Sequence, residues 1–143
     1  MAQPTIRTLV SASPRPLRAI IIDDSREDMV MLRRMLAETL PDIEVTEYDP
    51  DQQGKPGPNF DWSAYDVLLL DMQMPIMDGY QAAATLRAGG HAGPILALTA
   101  NVLPVDRKRC LAAGCDDYAS KPIDVDDLCS KLGRLTGRAK SGT

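Results

Sequence analysis

Five side chains in this sequence are of types that act on charged oxygen, and they stand at the ends of four strand-like runs. Asp23 and Asp24 close LRAIIIDD, Asp71 closes VLLLD, Thr99 closes ILALT, and Lys121 follows DYAS. A short unbroken apolar run bounded by turn residues reads as a strand buried on both faces, as in parallel sheets with helices above and below. Residues that end such strands collect at one edge of the sheet, where open α/β folds bind ligands. Three carboxylates gathered there repel one another, so one takes up a proton or a cation neutralises them. A hard divalent cation fits, Mg2+ in particular, because it takes a few carboxylates plus water and phosphate oxygens rather than a full protein cage. Lys121 adds a point charge and Thr99 a hydroxyl donor, both suited to phosphoryl oxygens. A carboxylate nucleophile, a metal, a lysine and a hydroxyl are the parts of phosphoryl transfer, whose catalysis rests on positioning and charge stabilisation. Taken alone, Asp71 serves equally well as a cap for the turn that follows it, built on Pro75 and Asp78-Gly79.

The elements that must hold these residues are legible around them. Residues 17–22 form the first strand, and Ser25 with Asp28 three positions on makes a capping-box start to a helix. Met29, Leu32, Leu36 and Leu40 give that helix one apolar face, and Pro41 stops it. Residues 43–48 (IEVTEY) alternate in polarity and suit a less buried strand at the sheet edge. The following stretch, 49–59 (DPDQQGKPGPN), holds three prolines and two glycines and bars a regular helix. Between 49 and 65 the expectation is a mobile loop with no helix longer than about two turns.

After the strand at 67–70, residues 79–88 have a helix-forming composition ended by Gly89-Gly90. Pro94 introduces the strand ILALTAN, Pro104 opens a helix that closes at Gly114, and 117–120 form a last short strand. Asp124 caps a final helix with Val125, Leu128, Leu132 and Leu135 on one face. Strand and helix in alternation, five strands in all, predict an α/β fold: a parallel sheet covered on both sides through right-handed crossovers.

With 143 residues the chain fits one domain, read as a flexible lead-in over 1–16, a folded unit over 17–137 and a frayed tail over 138–143. A net charge of −4 without a Lys/Arg stripe argues against nucleic acid as a direct partner. Three cysteines with no CxxC spacing suggest neither a disulfide framework nor a zinc site, and fit a reducing cytoplasm. The apolar stretches are too short for a signal-peptide core or a membrane span, so a soluble protein is expected.

The acidic pair Asp23-Asp24, DMQMPIMDGY around Asp71, ALTAN around Thr99 and CDDYASKPI around Tyr118 and Lys121 together resemble the receiver domains of two-component response regulators, over residues 17–137. The resemblance implies a flavodoxin-like doubly wound sheet of five parallel strands in the order 2-1-3-4-5. It implies Asp71 as phosphoacceptor, Asp24 as a direct Mg2+ ligand, Asp23 as a ligand acting largely through water, and the Gln73 backbone carbonyl as the third protein ligand. Thr99 and Lys121 are then the phosphoryl-sensing pair, Tyr118 the aromatic rotamer switch, and the Lys121-Pro122 bond cis. It further implies phosphorylation by a sensor histidine kinase, no enzymatic activity beyond gaining and losing phosphate at Asp71, and a downstream target protein or a histidine phosphotransfer protein as partner. One departure is the Pro/Gly-rich stretch 49–59, which stands where the family carries a full second helix, and which leaves packing and docking on that face open.

Tyr118 also reads as a core tyrosine with a solvent-reaching hydroxyl, its commoner role. His91, in GGHAGP, reads as a solvated loop residue and not as a phosphoacceptor. Met72, Met74 and Met77 read as core and turn packing. An Asp-nucleophile hydrolase needs a second Asp two residues after the nucleophile, where Gln73 stands, and an adaptor that has lost phosphorylation lacks a ligand or the lysine, whereas all are present here. Because no effector segment follows Leu135, the expectation is a diffusible single-domain regulator. The alternative is a receiver cut from a hybrid histidine kinase, or a phosphorelay intermediate.

Overall fold

A computed structural model describes residues 16–40, 42–57, 60–74, 77–100 and 104–137. Most of the expected lead-in, the expected tail, Pro41 and Pro75 lie outside the described residues, as does the side chain of Met77. The elements run β1 (Arg18–Ile22), α1 (Arg26–Thr39), β2 (Glu44–Tyr48), a one-turn α2 (Pro50–Gln53), a 3-10 turn (Trp62–Ala64) and β3 (Val67–Asp71). They continue as α3 (Gly79–Ala88), β4 (Ile95–Thr99), α4 (Pro104–Ala113), β5 (Asp117–Ser120) and α5 (Val125–Thr136). The five strands form one parallel sheet in the order β2-β1-β3-β4-β5, as expected. Two strands of two residues each, Gln73–Met74 and Met77–Asp78, add a small antiparallel ladder just past β3. Such short strands are below the length at which alternation can be read.

Alternation along the strands divides the core. Ile20, Ile22, Leu68, Leu70 and Ala97 pack against Ala82, Ala83 and Leu86 of α3, whereas Ile21, Leu69 and Leu98 face Leu32 and Leu36 of α1 and Leu128 and Leu132 of α5. Ser25 caps α1 by accepting the Asp28 N–H at 3.2 Å, and Asp124 caps α5 through the Asp127 N–H at 2.9 Å. These caps fix where both helices begin, and α1 begins next to the acidic pair.

The segment between β2 and β3 is short of helix, as its prolines require, and an aromatic cluster takes the helix's place. Trp62 is fully buried, with its ring 4.4 Å from Phe60 and 5.4 Å from Tyr48 between centroids. The Trp62 Nε1–H donates to the Gly57 carbonyl at 2.7 Å, and the Tyr48 hydroxyl donates to the Gly54 carbonyl at 3.0 Å. These two bonds tie the segment back on itself and to the end of β2.

His91 corrects its reading as a solvated residue, since it is only 2% exposed. Its Nδ1 lies 3.1 Å from the Trp62 carbonyl and its Nε2 3.1 Å from the Pro94 carbonyl. The turn after α3 thus folds the imidazole inward, where its ring nitrogens meet the backbone carbonyls of Trp62 and Pro94.

Candidate functional site

Asp23 and Asp24 leave the end of β1 just ahead of the α1 cap. Asp23 is wholly buried: Oδ1 accepts the Ser25 N–H at 2.8 Å, and Oδ2 has no hydrogen-bond partner among the described residues. Burial pushes the Asp23 carboxyl up to about 7, and the Asp71 charge adds to the rise while the Ser25 N–H opposes it. Asp24 is half-buried, and its carboxyl is raised first by burial and then by the charges of Asp51 and Asp71. Carboxylate oxygens of Asp23, Asp24 and Asp71 all lie within 4.8 Å of one another. An orphaned buried oxygen in a trio of mutually repelling carboxylates is what a hard divalent cation would satisfy, so the donor set fits Mg2+.

Asp71 ends β3 and is 3% exposed. Its Oδ1 accepts the Gln73 N–H at 3.0 Å and faces Lys121 Nζ at 3.3 Å. The Gln73 side-chain Oε1 accepts the Ala100 N–H at 2.9 Å, which binds the turn after β3 to the end of β4. Thr99 is 5% exposed, in register with Ser120 on β5, and its carbonyl accepts the Lys121 N–H at 2.8 Å. The Lys121-Pro122 peptide bond is cis. Burial lowers the affinity of the Lys121 amine for its proton, but the charges of Asp71, Asp28 and Asp23 and the hydrogen bond to Asp28 outweigh it, so its pKa rises.

Parallel strands therefore bring Asp23, Asp24, Asp71, Thr99 and Lys121 to one edge. Tyr118 stands on the neighbouring strand, half-buried, with Lys131 Nζ 5.0 Å and Arg107 Cζ 5.5 Å from its ring centroid. Its carbonyl accepts the Lys131 ammonium at 2.6 Å.

Asp28 is a site residue that sequence reading missed. Its Oδ2 lies 3.1 Å from Lys121 Nζ, so it shares the lysine with Asp71. The capping pattern assigns its carboxylate to the Ser25 N–H, but Asp23 Oδ1 accepts that N–H at 2.8 Å and the Asp28 carboxylate meets Lys121 instead.

The response regulator receiver domain family matches residues 19–133. A two-component response regulator of Oryza sativa subsp. japonica is 30% identical over 112 residues, covering 78% of this chain and 88% of that protein. The transcriptional regulatory protein PcoR of Escherichia coli is 40% identical over 77 residues, 54% of this chain, and the match spans 34% of PcoR. Among solved structures, the receiver domain of sensor histidine kinase PA1611 from Pseudomonas aeruginosa PAO1 is 32% identical with a TM-score of 0.68, covering 85% of this chain and 98% of that one. Its active-site cleft coordinates a magnesium ion. The chain belongs to the response regulator receiver domain family, the phosphoacceptor signalling domains of two-component systems.

Proposed function

We propose that Asp71 accepts a phosphoryl group from a phosphohistidine of a sensor histidine kinase in the cytoplasm, and that the domain over 17–137 passes the change to a partner protein. The observation that carries this is the meeting of Asp71 Oδ1 with Lys121 Nζ at 3.3 Å beside two further carboxylates. In the transfer an Asp71 carboxylate oxygen forms a bond to phosphorus as the donor's N–P bond breaks, and its electron pair returns to the imidazole, which takes up a proton. Lys121 holds charge on the phosphoryl oxygens, and the Thr99 hydroxyl donates to one of them.

Asp23, Asp24, Asp71 and the Gln73 carbonyl would hold Mg2+, which supplies neutralising charge to the phosphoryl oxygens when bound. Thr99, drawn to its new acceptor, leaves space into which Tyr118 turns, a shift of population between two arrangements rather than a refolding. The surface formed by α4, β5 and α5 changes with it.

A second reading, in which Asp71 hands its phosphoryl group on to a histidine phosphotransfer protein, is favoured by the 32% identity to a receiver domain of a sensor kinase. Both readings are tested by intact-mass measurement with phosphoramidate, with and without EDTA. One added phosphoryl group that needs Mg2+ is expected, and labelling that persists in Asp71→Asn overturns the assignment. Adding candidate phosphotransfer proteins after donor removal separates the readings: rapid loss from Asp71 with matching gain on a partner histidine favours relay.

A further inference from the structure

In a capping box, the carboxylate three residues after the cap turns back to the N–H of the capping residue. Asp28 holds that position after Ser25, and its own N–H does donate to Ser25 Oγ at 3.2 Å. The return bond is made by Asp23 Oδ1 instead, at 2.8 Å from the Ser25 nitrogen. The Asp28 carboxylate is thereby released from its ordinary structural task, and its Oδ2 accepts from Lys121 Nζ at 3.1 Å. The helix holds this carboxylate in a fixed place. Met29, the next residue, is 2% exposed and packs in the same core as Leu32 and Leu36.

A lysine ammonium has three N–H donors on a long flexible stem. Asp71 Oδ1, at 3.3 Å, and Asp28 Oδ2 together engage at most two of them. The two carboxylates differ in what phosphoryl transfer does to them. When Asp71 bonds to phosphorus, its carboxylate charge goes into the new bond, and the negative charge then sits on phosphoryl oxygens farther out. Asp28 makes no such bond and stands outside the trio of Asp23, Asp24 and Asp71 that converges on the cation position. It therefore presents the same charge to Lys121 before, during and after transfer.

We propose that Asp28 is a positioning residue for phosphoryl transfer at Asp71, anchoring the Lys121 ammonium in the site while the acceptor's own charge is consumed. The lysine keeps its bond to Asp28 and turns another N–H to the phosphoryl oxygens, so its stem need not be ordered anew as the reaction proceeds. This rests on Asp71 as the acceptor and adds a residue of α1 to the groups that serve it.

The test compares the full chain with Asp28→Ala and Asp28→Asn, each with phosphoramidate and Mg2+. Asp28→Ala is expected to load about three- to tenfold more slowly, the size of one lost hydrogen bond, and Asp28→Asn, which keeps an oxygen acceptor, to fall between it and the parent. Mg2+ affinity measured by calorimetry should stay within about threefold of the parent in both variants, because the charge removed is outside the trio. A readout independent of the donor is the 15N signal of the Lys121 ammonium in Mg2+, expected to be resolved in the parent and in Asp28→Asn and broadened away in Asp28→Ala. Loading of Asp28→Ala at the parent rate or faster, Asp28→Asn as slow as Asp28→Ala, a loss of Mg2+ affinity that matches the loss of rate, or an ammonium signal indifferent to Asp28→Ala each overturns the proposal. If the parent itself takes up no phosphoryl group, the acceptor assignment fails, and the ammonium signal still decides whether Asp28 anchors Lys121.

Discussion

Lys121 Nζ lies 3.1 Å from Asp28 Oδ2 on the first turn of α1 while it faces Asp71 Oδ1 at 3.3 Å. One ammonium group thus balances carboxylates from two other elements. Lys121→Met should lower stability in EDTA by roughly 2 kcal/mol, less than a fully buried pair would lose because the lysine side chain keeps 22% of its surface. Asp28→Asn should cost under about 1 kcal/mol, since that carboxylate is partly solvated. Urea denaturation of both variants checks the ranking, and equal losses would show that Asp71 is not the chief partner.

Metal should stabilise the fold through the same carboxylates. At Mg2+ about a hundredfold above its dissociation constant, the gain is about 2.7 kcal/mol for one site. Thermal denaturation with Mg2+, against EDTA at matched ionic strength, should show a clear rise in Tm that Asp24→Asn largely removes. A rise unchanged in Asp24→Asn would mean that the ion binds elsewhere.

Asp117 offers a pH test away from the metal site. Burial raises its carboxyl, but the Tyr118 N–H at 2.8 Å, the Arg134 hydrogen bond and the charges of Lys131 and Arg134 outweigh burial and bring the pKa below the ordinary 3.8. A depressed folded-state value stabilises above the unfolded value and loses that contribution as pH falls through the folded one. Arg134→Ala should therefore cost about 0.5–1 kcal/mol at pH 7, and this difference should shrink as pH falls below about 3.8. A cost that stays constant into strong acid would assign Arg134 a packing role instead.

Gly79 opens α3 in close contact with the residue after the acceptor. A Cβ there would stand 2.6 Å from Met72 Cα and 2.9 Å from its Sδ, so the backbone next to Asp71 must shift to admit it. Gly79→Ala should destabilise by about 1–3 kcal/mol and slow phosphoryl loading. Gly57→Ala, whose Cβ would meet only the Lys55 carbonyl at 3.9 Å, is the control and should do neither.

The sequence by itself determined the elements and the type of site. Every strand of the sheet and every helix that covers it has a local signature: the apolar runs of β1, β3 and β4, the Ser25 and Asp124 caps, the prolines that shorten α2. Such signals act over a few residues and survive any tertiary arrangement. Because strands that alternate with helices pair in parallel, the ends carrying Asp23, Asp71, Thr99 and Lys121 had to share an edge. Tertiary structure alone decided what crosses between segments. Asp28 reaches Lys121 from 93 residues away, and no spacing rule relates them. His91 carries no apolar period, and its buried ring meets the Trp62 carbonyl, which arrives from another loop. In each case the energy lies in a contact between distant residues, and local pattern carries no information about which distant residue will arrive.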